Sequence, residues 1–364
     1  MASGPTSLAG ERPARRSELP GPAGGGPQPG AAVGPSPGQL PGEPPSLEPS
    51  IGVGTWAWGN QFLWGYDPAL DHELAATFRR CLELDLCFFD TADSYGTGRW
   101  NGRSEQLLGQ FAAALSPAQR TRCCLATKLA PFPWRLGRRG FDRAFTASKQ
   151  RLQGKLDRVQ LHWSTARYAP WQEPPLLRGL ADLVRSGQVA SLGLSNLGPL
   201  RLRQVVAQLA AQGVAVASLQ VQLSLLAPEA VAPGGVAQVC RELGIPLIAY
   251  SPLALGLLAR PPSQVSIAPQ GPRGTLFRRL EAGLGPLLDT MASIAAGHGS
   301  DLAAVALNWC RAHGAMPIPG LRRPDQVETV AAARSWQLSL AERQQLDQLV
   351  LSGPRMPINP FQSR

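Results

Sequence analysis

The sequence predicts an α/β protein: a (β/α)8 TIM barrel with a disordered N-terminal extension. Three observations support this. Eight apolar runs of strand length recur after residue 50, helical periodicity fills the gaps between them, and seven of the strand ends are polar or cofactor-friendly. Strands buried on both faces lose the polar alternation of a half-exposed sheet, and strict strand–helix alternation calls for a parallel sheet with helices outside. Eight units in about 315 residues suit a closed barrel better than an open doubly wound sheet.

Residues 1–49 are read as the extension and residues 50–364 as the barrel. Of the first 50 residues, 22 are Pro or Gly, one is Val, and none is Ile or aromatic. No packed face can form from such a composition. The segment opens MASGPTSLAG and holds Arg12, Arg15 and Arg16 among several Ser, in the manner of an organelle transit peptide. Glu11, Glu18, Glu43 and Glu48 are more acid than that class prefers, so a plain disordered tail is the alternative.

The strand candidates, in order, are IGVGTW (51), CFFDT (87), CCLATKL (123), VQLHW (159), VASLGLS (189), VASLQVQ (216), PLIAYS (246) and MPIPG (316). Between the first two, Leu74, Phe78, Cys81 and Leu82 fall on one helical face. After the fifth, Leu202, Val205, Val206 and Leu209 do the same ahead of a stop at Gly213. The connection 254–313 is long and begins ALGLLARPPSQVSIAPQGPRG before helix resumes, which marks a lid or binding loop.

Net charge is +10, and the body holds 32 basic against 21 acidic residues. The Arg residues of the body are scattered, paired only at 79/80, 138/139, 278/279 and 322/323, so no basic stripe with interleaved aromatics favours nucleic acid. An anionic cofactor or substrate is the better use of the charge. No apolar run reaches the ~18 residues of a membrane helix. The six cysteines show no C-x-x-C spacing and read as reduced core residues, with no metal site.

In such a barrel the carboxyl ends of the strands converge on one face, which holds the chemistry. The strand ends are Asp90, Lys128, His162, Ser195 with Asn196, Gln220, Tyr250 with Ser251, and Gly320 followed by Arg322. Singly, each has a bland explanation; together at equivalent places they outline a site. Just beyond Asp90, FFDTADSYG presents Tyr95. A neighbouring ammonium lowers a phenol's pKa, and a carboxylate keeps that ammonium charged. Lys128 and Asp90 are expected in these roles. Tyr95 then donates a proton and His162 a hydrogen bond to one substrate oxygen while a hydride reaches carbon, which is carbonyl reduction.

DTADSYG, ATKLA, QLHW, LGLSN, LQVQLS, IAYSPLALGLL and PIPGLRRPDQVE, in that order, resemble the motifs of the aldo-keto reductases across essentially all of 50–364. GVGTWAWGNQFLWGY, LHWSTARYAPWQE and PINPFQSR are most similar to the chloroplast members of plants and algae, including the pyridoxal reductase-like group. The resemblance implies Tyr95 as general acid, Lys128 and Asp90 as its tuning pair, and His162 as the carbonyl-orienting group. It implies NADPH as cofactor. Ser195, Asn196 and Gln220 would hold the nicotinamide carboxamide, with Tyr250 stacked on the ring. Ser251, Pro252 and Leu253 would follow the pyrophosphate, Gly320 and Arg322 would meet the 2′-phosphate, and Thr55, Trp56 and Gln326 complete the cofactor contacts. Thr329 and Val330 replace the usual acidic residue and Asn, and Ala259, Arg260 and Pro261 replace the usual Thr-Gly-Lys.

Trp56, Trp58, Trp64, Trp100 and Trp163 are expected on loops of the catalytic face, with Trp58, Trp64, Trp100 and Trp163 as substrate contacts. They suit a small-molecule carbonyl substrate, an aromatic or conjugated aldehyde, with pyridoxal a candidate by resemblance. The expected state is a monomer or weak oligomer, in the chloroplast (stroma or membrane periphery) or alternatively the cytoplasm. Two other readings stand beside this one. GVGTWA at 52–57 formally fits a dinucleotide fingerprint with Asp71 some twenty residues on, but it does not open a helix. An NADPH-binding barrel acting as a sensor or scaffold would keep the same polar residues.

Overall fold

Eight parallel strands alternate with helices in the computed structural model, which describes residues 51–264 and 269–363. The expected extension and part of the 254–313 connection lie outside the described residues. The strands are β1 (Val53–Gly54), β2 (Phe88–Asp90), β3 (Cys124–Leu129), β4 (Arg158–Leu161), β5 (Ser191–Ser195), β6 (Val216–Gln222), β7 (Leu247–Tyr250) and β8 (Ala315–Ile318). They pair in sequence order.

Closure depends on glycine. Gly52 N–H donates to Pro317 O (3.0 Å) and Gly54 N–H to Pro319 O (2.9 Å), and Gly54 bridges Gly320, so β1 joins β8. A Cβ on Gly54 would stand 2.9 Å from Ile318 O, and one on Gly52 2.8 Å from the Phe88 ring. The GVG run therefore serves close backbone approach in a barrel wall and not a phosphate-binding turn.

Inside the barrel, Phe88, Ala126, Ile248, Met316 and Ile318, from β2, β3, β7 and β8, form a small apolar plug. The larger core lies between strands and helices. Helix Asp71–Glu83 buries Leu74, Phe78, Cys81 and Leu82, the stripe its periodicity predicts, and Phe78 meets Phe89 of β2 at 4.6 Å between rings. Helix Pro199–Ala210 buries Leu202, Val205 and Leu209 and leaves Val206 half-buried. The β7–β8 connection is less a free loop than expected, for it contains helices Pro272–Glu281, Gly285–Gly297 and Leu302–Ala312.

Candidate active site

Above the apolar plug the barrel interior turns polar. Asp90 ends β2, Lys128 stands on β3, Gln160 on β4 and Gln220 on β6, and all four are buried. One Asp90 oxygen takes the Lys128 ammonium; the other accepts from Gln160 Nε2 and Gln220 Nε2, both at 2.8 Å. Lys128 also donates to Thr91 O at 2.9 Å. Gly193 of β5 leaves the space that Gln160 fills, since a Cβ there would lie 2.9 Å from the Gln160 chain. A buried ion pair is tolerable only when its remaining donors and acceptors find partners, and here both Asp90 oxygens and two of the three Lys128 N–H groups do. Burial pulls the Lys128 pKa down while Asp90 opposes it.

Tyr95, on the loop after β2, lays its ring 5.0 Å from Lys128 Nζ and meets the His162 ring edge-on at 6.0 Å. Its phenol pKa is raised well above the ordinary value by burial, then by the charges of Asp90 and Asp93. Burial and the two carboxylates therefore set the net direction, against the lowering expected from Lys128. The ammonium faces the ring and is neutralised by Asp90, while two carboxylates oppose phenolate. The consequence is a phenol that keeps its proton at neutral pH. His162 is held neutral by burial and by the cations Lys128 and Arg135, and its buried Nδ1 has no protein partner.

A cleft opens beside Tyr95. Gly54, Thr55, Trp56, Trp64, Asp90, Tyr250, Ser251, Pro252, Leu253, Ile318, Gly320, Arg322 and Gln326 line it, together with Arg273. Its far end is cationic and aromatic, with the Arg273 guanidinium 4.1 Å and that of Arg322 5.3 Å from the Trp64 ring. Arg273 Nε is buried without a partner, and its pKa is pushed down to about 10 by burial and by Arg322 and Arg260. Backbone strain concentrates at this face too. Of the six left-handed non-glycine residues among those described, four lie here: Asn196 (φ 60°), Ser251 (φ 52°), Ala254 (φ 47°) and Leu255 (φ 58°).

Several expected contacts are placed differently. Trp58 is fully buried, donates to Leu321 O at 2.8 Å and packs on Phe111, so it is core and not a substrate wall. Trp100 leaves the cleft for Tyr66 and carries Arg99 and Arg103 on its face. Trp163 stacks on Phe361 at 4.4 Å, on the His162 side and outside the cleft wall. Thr55 lines the cleft, but its hydroxyl is spent on Asp90 O and Ser104. Gln326 caps its own helix by accepting from Arg322 N–H. Gln220 is held by Asp90, and Asn196 has its whole amide engaged by His162 O, Ser195, Tyr250 and Asn359. The Asn196 side chain is therefore not left open as a carboxamide clamp, because strand-end position says nothing of prior partners.

Gln160, Asp93, Arg135, Arg273 and Asn359 were not singled out from sequence. Gln160 was readable, since it sits two residues before His162 on the same strand face. Arg273 and Asn359 arrive from remote segments with no periodic signal. Among the described residues no helix is long and apolar enough to cross a membrane, and no group of three His, Cys, Asp or Glu could hold a metal.

An eight-stranded parallel barrel with an ion pair, a phenol and an imidazole beside one cleft defines a class of oxidoreductase, and the comparisons agree. Residues 50–351 match the aldo/keto reductase family model, and the chain belongs to that family. It is 44% identical over 325 residues to the chloroplastic pyridoxal reductase of Arabidopsis thaliana, covering 88% of each. It is 34% identical to an uncharacterized oxidoreductase of Mycobacterium tuberculosis, over 81% of this chain and 87% of that one. An aldo/keto reductase from Klebsiella pneumoniae, solved with NADP and acetate, superposes with a TM-score of 0.66 at 27% identity, covering 87% and 95% of the two chains.

Proposed function

We propose that this protein reduces an aldehyde or ketone to its alcohol with NADPH, and that Tyr95, His162, Lys128 and Asp90 do the work. The observation behind this reading is the contact of a protonated phenol with both the Lys128 ammonium and the His162 ring, at the edge of a cleft whose far end is cationic. The cleft suits the cofactor. Gly54 and Gly320 offer backbone with no side chain, Tyr250 an aromatic face, and Arg322 and Arg273 two guanidiniums for phosphate. When bound, the reduced nicotinamide supplies the hydride.

The chain's residues do the rest. Neutral His162 has one N–H to give the substrate oxygen, which orients the carbonyl and steadies negative charge as it grows. As that oxygen becomes basic, the Tyr95 O–H transfers its proton, and the Lys128 ammonium against the ring stabilises the phenolate left behind. Asp90 keeps Lys128 charged through the cycle. The substrate is read as an aromatic or conjugated aldehyde, with pyridoxal the first candidate. Trp56 and Trp64 wall the cleft, Phe132, Trp163 and Phe361 gather beside His162, and a relative bears the name pyridoxal reductase. We place the protein in the plastid on the composition of residues 1–49 and the chloroplastic relative, with the barrel at 50–364 as its catalytic domain.

The test follows absorbance of reduced nicotinamide with the full chain, NADPH and a panel of aldehydes including pyridoxal. Tyr95→Phe should keep NADPH binding and lower kcat/KM by about 10³. Tight NADPH binding with no aldehyde turned over by the unaltered protein would instead make it a binding protein.

A further inference from the structure

Residues 356–363 cross the face that holds the site and are fastened to it. Met356 N–H donates to Leu226 O (2.8 Å), Phe361 stacks on Trp163, Ser363 N–H donates to Asn196 O (3.0 Å), and Ser363 Oγ accepts from Gly198 N–H (3.1 Å). Between these anchors Asn359 reaches inward. Its Nδ2 donates to Tyr250 Oη at 2.6 Å and to Asn196 Oδ1 at 3.2 Å.

The direction of this network is fixed from both ends. The Phe361 backbone N–H, which can only donate, gives its proton to Asn359 Oδ1 at 2.9 Å. Asn359 Nδ2 therefore faces the other way, and Tyr250 accepts from it. Tyr250 then has its own hydrogen for Asn196 Oδ1 at 2.9 Å. Asn196 Nδ2 in turn donates to the His162 carbonyl (3.0 Å), which can only accept, and to Ser195 Oγ (3.2 Å). With a lone pair taken by Asn196, Ser195 has its hydroxyl hydrogen free to donate onward. The left-handed backbone of Asn196 is pinned within the same set of bonds.

We propose that Asn359 is a positioning residue for the nicotinamide end of the cofactor: together with the His162 carbonyl it fixes the hydrogen-bond polarity of the Tyr250–Asn196–Ser195 relay, and it holds Tyr250 as a fixed face beside the donor Ser195. The proposal rests on the reading of Ser195 and Tyr250 as nicotinamide contacts, with Asn196 as the link between them. It assigns to the terminal PINPFQS segment a part in cofactor selection at the ring, remote from the arginines that meet the phosphates.

The experiment compares the full chain with Asn359→Asp, which keeps the shape but cannot donate, and Asn359→Leu, which has neither donor nor acceptor. Dissociation constants are measured for NADPH and for adenosine 2′,5′-bisphosphate, which lacks the nicotinamide, alongside the melting midpoint. Loss of the donor should weaken NADPH about tenfold in both variants, the cost of roughly one misdirected hydrogen bond. The bisphosphate should bind as before. Equal weakening of both ligands, unchanged NADPH binding, or failure of both variants to fold would reduce Asn359 to a structural residue and overturn the proposal. Failure of the unaltered protein to bind either ligand would remove the cofactor reading itself.

Discussion

Replacing Lys128 alone would leave the Asp90 carboxylate deep in the barrel with two amide donors and no cation. Breaking a buried pair from one side costs about 3–5 kcal/mol, because an uncompensated charge remains, whereas removing both charges costs much less. Lys128→Met should therefore lower the denaturant-derived stability by about that amount. The double variant Asp90→Asn with Lys128→Met should regain most of it while staying inactive. Recovery of turnover in the double variant would show that the charge pair serves stability only. A second carboxylate offers a pH test. Burial pushes Asp93 up to about 6 against the pull of Arg135 and Ala130 N–H. The folded protein then holds that proton more tightly than the unfolded chain, whose carboxyl titrates near the ordinary 3.9. Its contribution to stability is full below about pH 4 and is lost as pH rises through about 6. In Asp93→Asn, melting midpoints measured between these limits should lack this downward trend with pH.

The first strand shows how an element is dictated by a contact remote in sequence. Val53–Gly54 forms only two paired residues with β2, yet it must also meet β8, and Gly54 lines the cleft. Gly54→Ala would set a Cβ against Ile318 O, an overpacking cost of about 1–3 kcal/mol with the seam between β1 and β8 displaced. Denaturant midpoints should fall by that measure, and NADPH affinity should fall with them. Normal affinity with lowered stability would detach the seam from the cofactor cleft. The same element explains what was legible in the sequence and what was not. Strand count, order and the apolar stripe Leu74, Phe78, Cys81, Leu82 follow from periodicity, and Asp90, Lys128 and His162 follow from strand ends. Trp58 was misplaced because a tryptophan beyond a strand reads the same whether its N–H meets solvent or, as here, Leu321 O. Arg273 and Asn359 were missed because their partners lie far off in sequence, and no local pattern encodes such a meeting.

At the scale of the whole molecule, the +10 net charge is distributed without a stripe, but the structure gathers Arg273 and Arg322 at one end of the cleft, with Arg260 near enough to act on Arg273. Arg273 bears the electrostatic cost of that gathering, since burial and its two cationic neighbours disfavour its charge. A phosphate bound among them relieves the repulsion, so affinity should depend on screening. Raising ionic strength from about 0.05 to 0.5 M shortens the Debye length from about 14 to about 4 Å, roughly the spacing of these guanidiniums from a bound anion. KM for NADPH should therefore climb steeply with salt while kcat stays level, because the proposed proton donor Tyr95 stands at the other end, where Lys128 is neutralised by Asp90. NADH has no 2′-phosphate, and its KM should climb less. Arg322→Ala should bring the NADPH slope down to that of NADH. If the two cofactors respond equally to salt in the unaltered protein, the arginines act on the shared pyrophosphate and the preference for NADPH must be built elsewhere.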